Sequence, residues 1–305
     1  MDSIAIHGLR KSFRKDLPPA VDLREDVSIS KGELFGIIGP DGAGKTTLFR
    51  MLATLISPDA GSAVLEGLDI VRDYRKIRTL IGYMPGRFSL YPDLTVRENL
   101  EFFASVFGKD VGSNYALIGN IYCRLKPFED RKAGNLSGGM KQKLALCCSL
   151  IHSPAVLFLD EPTTGVDPSS RRELWENLAQ LKASGMTIVV STAYMDEADR
   201  CDRVAMMKAG RFLMVDSPAA IVRSFDRPLL AVRSDDMFRL LHDLRAMEEV
   251  EKCYTFGDTH HVTLKPGADV DAAAIASRLE PNHSGLEAGP VQATLEDCYM
   301  NLEEK

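Results

Sequence analysis

No apolar run in this sequence approaches the length needed to span a bilayer, so no segment reads as membrane-crossing. The start, Met1-Asp2-Ser3-Ile4, lacks the basic-then-apolar pattern of an export signal. Positive charge is in deficit: 37 Lys and Arg against 43 Asp and Glu give a formal net charge of −6. That balance argues against nucleic-acid binding as the main function. The six cysteines form no C-x-x-C pair. Cys123, Cys147, Cys148, Cys201, Cys253 and Cys298 read as reduced, mostly buried thiols of a cytosolic protein. Sustained heptads are missing too, which excludes a long coiled coil. There remain 305 residues, 45% of them hydrophobic, enough to bury a large core in one large domain or two.

Against these absences stands Gly39-Pro40-Asp41-Gly42-Ala43-Gly44-Lys45-Thr46-Thr47, a full match to the phosphate-binding pattern G-x-x-x-x-G-K-[ST]. Leu34, Phe35, Ile37 and Ile38 before it read as a buried strand, and Lys45 to Ile56 after it as a helix. The glycines let the backbone bend sharply and turn its N–H groups inward, where a helix N-terminus favours a polyphosphate. Lys45 is placed to reach the β- and γ-phosphates, and the Thr46 hydroxyl to meet Mg²⁺.

Two further segments narrow the reading. In Leu136-Ser137-Gly138-Gly139-Met140-Lys141-Gln142, Ser137 is suited to cap a helix, and Gly138 and Gly139 let backbone approach a ligand closely. The run Ala155-Val156-Leu157-Phe158-Leu159 is continuously apolar, as in a parallel strand covered on both faces. It ends in Asp160-Glu161, at the strand edge where ligands of open α/β sheets bind. In this order and spacing the segments resemble the ABC-type ATPases. Residues 136–142 are similar to the LSGGQ signature, with Met140 where Gln is commonest. The resemblance implies that Ser137, Gly138 and Gly139 bind the γ-phosphate of ATP held by a second subunit. It also implies that Asp160 holds Mg²⁺ and that Glu161 polarises the attacking water. Pro162-Thr163-Thr164-Gly165-Val166-Asp167 resembles the D-loop, which crosses to the partner.

Other family elements follow by order. Leu9-Arg10-Lys11-Ser12-Phe13 resembles the segment whose aromatic, here Phe13, stacks on adenine. Ile81-Gly82-Tyr83-Met84-Pro85 resembles the strand leading to the Q-loop. Residues from about 88 to 140 are then the helical subdomain that touches a membrane subunit. One of its helices opens with the capping box Thr95-Val96-Arg97-Glu98 and continues through Leu100, Phe103, Ala104 and Phe107. Two positions depart from the family pattern: Gly86 stands where Gln is usual, and Ala193 where His is usual. Neither side chain can hydrogen-bond phosphate, Mg²⁺ or water. The resemblance implies that both missing groups serve the site built on this chain's own phosphate loop, while the signature serves the opposite site. The expectation is an impaired site on this chain with a competent signature offered to a partner; the alternative is neutral drift or a substitute such as Arg87.

The resemblance covers roughly residues 3 to 218. The expected domains are residues 1–222, the ATPase domain, and residues 227–305, a small α+β domain beyond the break at Arg227-Pro228. Its expected strands are Leu229 to Val232, Val250 to Phe256 and His261 to Leu264. Its expected helices are Met237 to Met247, Asp271 to Leu279 and Thr294 to Leu302. A β-α-β-β-α order suggests a ferredoxin-like unit. Adjacent His260 and His261 point to opposite faces of a strand and make a poor metal chelate.

The fold class expected is therefore α/β: a P-loop NTPase of the ABC type with antiparallel β and α-helical subdomains, plus the small C-terminal domain. By resemblance the chain is an ATP- and Mg²⁺-binding ATPase subunit of an ABC transporter, in the ABC-2-type exporter branch. Ala293-Thr294-Leu295-Glu296-Asp297, Tyr194-Met195-Asp196-Glu197-Ala198 and Thr163-Thr164-Gly165-Val166-Asp167-Pro168 lean toward that branch. Implied partners are transmembrane permease subunits and a second ABC ATPase domain, identical or, on the two departures, different. Nucleic acid is not among them. The implied location is the cytoplasmic face of the cell membrane, held there through the permease. The competing reading is a soluble ABC-type ATPase acting on ribosomes or DNA. Such proteins usually carry two ATPase domains or a coiled-coil insertion.

Overall fold

The computed structural model describes residues 2–268 and 270–303, apart from the side chains of residues 113, 114 and 116. The chain divides into two compact units, residues 1–218 and residues 219–305.

The first unit is organised by a six-stranded sheet. Its strand order is Arg211–Asp216, Arg203–Lys208, Leu34–Ile38, Thr187–Thr192, Val156–Asp160 and Ile81–Met84. All neighbours run parallel except the first pair, which is an antiparallel hairpin. Every residue of Leu34–Ile38, Val156–Asp160 and Thr187–Thr192 is buried, which is why these strands read as unbroken apolar runs rather than alternating ones. Phe49 from the helix Lys45–Leu52 meets Phe158 edge to face, ring centroids 5.7 Å apart, and both are fully buried. Each such side chain contributes about 1.5–3 kcal/mol of burial free energy.

That helix ends at Leu52, short of the expected Ile56. Thr54 adopts a left-handed φ of 60° there, and Arg78 donates to both its hydroxyl and its carbonyl. The tertiary partner closes the helix where local propensity alone would extend it.

A second sheet of five strands is antiparallel throughout: Val21–Asp22, Asp2–Lys11, Val27–Ser30, Ala60–Leu65 and Leu68–Asp69. It shares one apolar cluster with the larger sheet, in which Ile4, Ile6 and Leu65 join Phe35, Phe49 and Phe158. Residues 88–150 are mainly helical, with helices Val96–Val106, Tyr115–Tyr122 and Gly138–Leu150. The Thr95 capping box is present with both reciprocal bonds, at 3.1 and 2.7 Å.

The second unit has the element order Leu229–Arg233, Met237–Ala246, Val250–Phe256, Thr259–Leu264, Ala272–Leu279, Glu287–Pro290 and Leu295–Glu303. Its four strands form an antiparallel sheet in which Leu229–Arg233 lies between Thr259–Leu264 and Glu287–Pro290. This is a ferredoxin-like β-α-β-β-α-β arrangement. The strand Glu287–Pro290 is an addition to the expected set. Its Gly and Pro are poor strand formers, and pairing with Leu229–Arg233 imposes the conformation. His260 and His261 do face apart: His260 bonds the Met237 carbonyl at 2.7 Å, and His261 bonds Asp297 at 2.8 Å.

Candidate functional site

Parallel pairing brings the candidate residues to one sheet edge. Ile38 is in register with Thr192, and Asp160 with Ser191. Hence Gly39, Glu161 and Ala193, which follow these strand ends, leave the sheet together. The Thr46 hydroxyl donates to Asp160 Oδ1 at 3.1 Å, and the Ser191 hydroxyl donates to the same oxygen at 2.7 Å. Burial pushes the Asp160 carboxyl up from its ordinary value, and these two bonds oppose that rise.

Lys45 is almost wholly buried. Its ammonium donates to the Gly39 carbonyl at 2.7 Å and the Pro40 carbonyl at 3.0 Å, and lies 3.2 Å from Glu161 Oε1. Glu161 has a left-handed φ of 49°, unusual for a residue with a side chain. Its N–H donates to the Ser191 carbonyl and hydroxyl at 3.1 and 3.0 Å. The helix after the loop has no side-chain cap and no acidic residue in its first turn, so its N–H groups suit an anion.

Two loop glycines are dictated by packing. A Cβ on Gly39 would lie 2.1 Å from the Met207 carbonyl oxygen, and one on Gly44 would lie 2.3 Å from that of Ala20. The second contact brings the segment after Phe13 against the phosphate loop. Phe13 itself is 63% exposed and lies beyond the strand Asp2–Lys11, in the following loop. Pro40, Asp41, Gly42, Ala43 and Thr47 complete the loop and the first turn of the helix.

A divalent cation fits the Thr46–Asp160 pair. A hydroxyl and a carboxylate are hard oxygen donors, and Mg²⁺ is usually held by one or two protein oxygens plus phosphate and water. Among the described residues no group of three or more His, Cys, Asp or Glu could hold a metal unaided. Such an ion must therefore take most of its ligands from elsewhere.

The signature residues do not join this cluster. Ser137 caps the helix Gly138–Leu150, accepting from the Met140 N–H at 3.4 Å. A Cβ on Gly139 would meet Ser170 Oγ at 2.3 Å, and one on Gly138 would find only the Gly165 carbonyl within 4 Å. These glycines thus sit against the segment 165–170, not the loop 39–47.

The ABC transporter family pattern matches residues 24–164. Over 90% of its length the chain is 43% identical to the Nod factor export ATP-binding protein I of Burkholderia orbicola (strain AU 1054), covering 89% of that protein. The chain belongs to the ABC transporter ATP-binding proteins. This ABC-type chain is also 47% identical to the probable multidrug ABC transporter ATP-binding protein YbhF of Escherichia coli (strain K12), over 98% of its own length and 52% of that protein. It spans about half the length of that relative. Among solved structures, cbiO1 from Clostridium perfringens, part of an ABC transporter complex, superposes with a TM-score of 0.64 at 26% identity. That match covers 73% of this chain and 91% of the other.

Within the ABC-type frame the two departures acquire a geometry. A Cβ on Gly86 would lie 2.9 Å from the Asp160 carbonyl oxygen, so the backbone here passes too close for a larger residue without a shift. Ala193 is exposed. Arg87 is exposed. Sequence patterns did not single out Ser191 or Tyr83. Burial, followed by the Asp160 charge, pushes the Tyr83 hydroxyl to about 12. Ser191 is found only once strand register is known, since parallel pairing sets it opposite Asp160.

Proposed function

We propose that this chain is the ATP-binding and ATP-hydrolysing subunit of an ABC-2-type exporter. The observation that carries the reading is the meeting of Lys45, Thr46, Asp160 and Glu161 at one sheet edge, with Gly138 and Gly139 packed apart from it against the segment 165–170. The names of the multidrug and Nod factor relatives support export.

In this reading Gly39 to Thr47 wrap the phosphates, and Phe13 stacks on adenine. The Lys45 ammonium holds the β- and γ-phosphates; an incoming phosphate competes with Glu161 for it. Thr46 and Asp160 would hold Mg²⁺, which would supply positive charge to offset that of the phosphates. Glu161, released from Lys45, accepts a proton from the attacking water. Ser137, Gly138 and Gly139 complete the site of a second ABC ATPase domain. Closure of the two domains pulls on separate membrane permease subunits, which hold the chain at the cytoplasmic membrane face. Among the described residues no helix is long and apolar enough to cross a membrane.

The decisive experiment measures Mg²⁺-dependent ATP turnover and ATP retention for the wild type and Glu161→Gln, beside co-purification from detergent-solubilised membranes and ribosome pelleting. The expected result is ATP retained by Glu161→Gln with turnover lost, and recovery with membranes. Recovery with ribosomes, or turnover indifferent to Glu161, overturns it.

A further inference from the structure

One buried carboxylate has no part in the scheme so far. Glu197 is 2% exposed and lies in the short helix Met195–Ala198, just after Ala193. Its Oε2 accepts from the Thr163 hydroxyl at 2.9 Å and from the Thr192 hydroxyl at 2.7 Å. Its Oε1 lies 3.4 Å from Arg171 Nε. The Arg171 guanidinium in turn lies over the Tyr194 ring, 4.1 Å from its centroid. Thr192 Oγ1 also accepts from the Tyr194 N–H at 3.0 Å.

These contacts join three separate segments: the loop after Glu161, the end of the strand Thr187–Thr192, and the helix Pro168–Ala183. A buried charge costs several kcal/mol unless paired, and an apolar side chain of similar size is often the more stabilising choice. A carboxylate here therefore contributes direction rather than raw stability. What it directs is strained: the left-handed backbone of Glu161, with a φ of 49°, persists only when neighbours hold it. The Glu161 carbonyl accepts from the Thr164 N–H at 3.2 Å, and Thr163, fully buried, lies between them in sequence. Anchoring Thr163 thus anchors Glu161.

We propose that Glu197 is a positioning residue for hydrolysis: its carboxylate ties the loop carrying Glu161 to the strand end carrying Ser191 and Thr192. It holds the two segments in register beside Ala193, whose own side chain makes no such tie. The inference rests on the role assigned to Glu161 above.

The test uses the full chain with Mg-ATP. Thr163→Val removes one hydroxyl from Glu197 at constant shape, and Thr163→Ser restores it. Thr163→Val should lower kcat at least about fivefold while ATP Kd stays within about twofold, and Thr163→Ser should turn over like the wild type. Amide exchange at 161–167 and 192–194 should quicken in Thr163→Val and not in Thr163→Ser; this readout decides if turnover of the chain alone is too slow to measure. Wild-type kcat in Thr163→Val, equal losses in kcat and affinity, or unchanged exchange each overturn the inference. Thr192→Val is read in the same way if Thr163→Val does not fold. A wild-type chain that binds no ATP would instead overturn the function proposed above.

Discussion

Thr46 Oγ1 lies 3.1 Å from Asp160 Oδ1, although the two are 114 positions apart in the sequence. Thr46 opens the helix that follows Leu34–Ile38, and that strand is not adjacent to the one ending in Asp160: Thr187–Thr192 runs between Leu34–Ile38 and Val156–Asp160 and sets both in register. Ser191 from that middle strand bonds the same carboxylate oxygen. Sheet order thus brings a hydroxyl and a carboxylate from distant segments to one point.

Lys45→Ala removes the ammonium that bridges the loop carbonyls and Glu161. A helix dipole worth about 0.3–1 kcal/mol does not replace a full charge on the γ-phosphate. ATP affinity should fall at least about tenfold, equivalent to about 1.4 kcal/mol. Labelled-ATP binding checks this, and unchanged affinity sinks the assignment of Lys45.

Gly139→Ala drives a Cβ to 2.3 Å from Ser170 Oγ and 2.8 Å from Ser170 Cβ. Overpacking of this kind costs about 1–3 kcal/mol. The thermal midpoint and dimer-dependent hydrolysis should fall, while ATP binding at the chain's own loop persists. Adding Ser170→Gly should recover most of the midpoint. If the second change brings no recovery, the contact is not the cause.

Ala193→His places an imidazole at an exposed strand end. Gly86→Gln must first open a 2.9 Å approach to the Asp160 carbonyl. The double variant should raise turnover of the isolated chain, with Ala193→His alone supplying the larger share. An unmodified chain that already hydrolyses ATP at ~1–100 s⁻¹ would falsify the impaired-site reading.

His152 is buried, stacks on Phe107 with centroids 3.8 Å apart, and bonds the Ile81 carbonyl at 2.9 Å. Burial lowers its pKa from 6.5, more than that bond raises it. The folded chain therefore binds this proton less readily than the unfolded chain, and stability falls as pH drops below about 6.5. Denaturation midpoints between about pH 7.5 and 5.5 should show a slope for the wild type that is reduced in His152→Gln. Parallel slopes in the two proteins would assign the effect to other groups.

A chain ending at Arg227 retains the strand Arg211–Asp216 that closes the six-stranded sheet, and every residue assigned to the ATP site. It should stay folded and bind ATP, with residues after Arg227 acting in regulation or dimer stability. Loss of either property in circular dichroism or nucleotide titration overturns that separation.

The amino-acid sequence by itself determined what depends on neighbours in the chain. The Thr95 capping box, the Ser137 cap and the phosphate loop are closed by bonds within a few residues, so their spacing is their structure. The buried strands were legible because parallel strands covered on both faces must be apolar throughout. Tertiary structure alone decided what depends on register and close approach. The Gly86 contact with Asp160, the Ser191 bond and the Glu197 junction each join segments whose separation in sequence carries no signal. Glu287–Pro290 is a strand only because Leu229–Arg233 pairs with it. The helix from Lys45 stops at Leu52 where Arg78 seizes Thr54. A local pattern sets which bonds a residue can make; which distant residue takes up that bond is settled by how the sheets and helices pack.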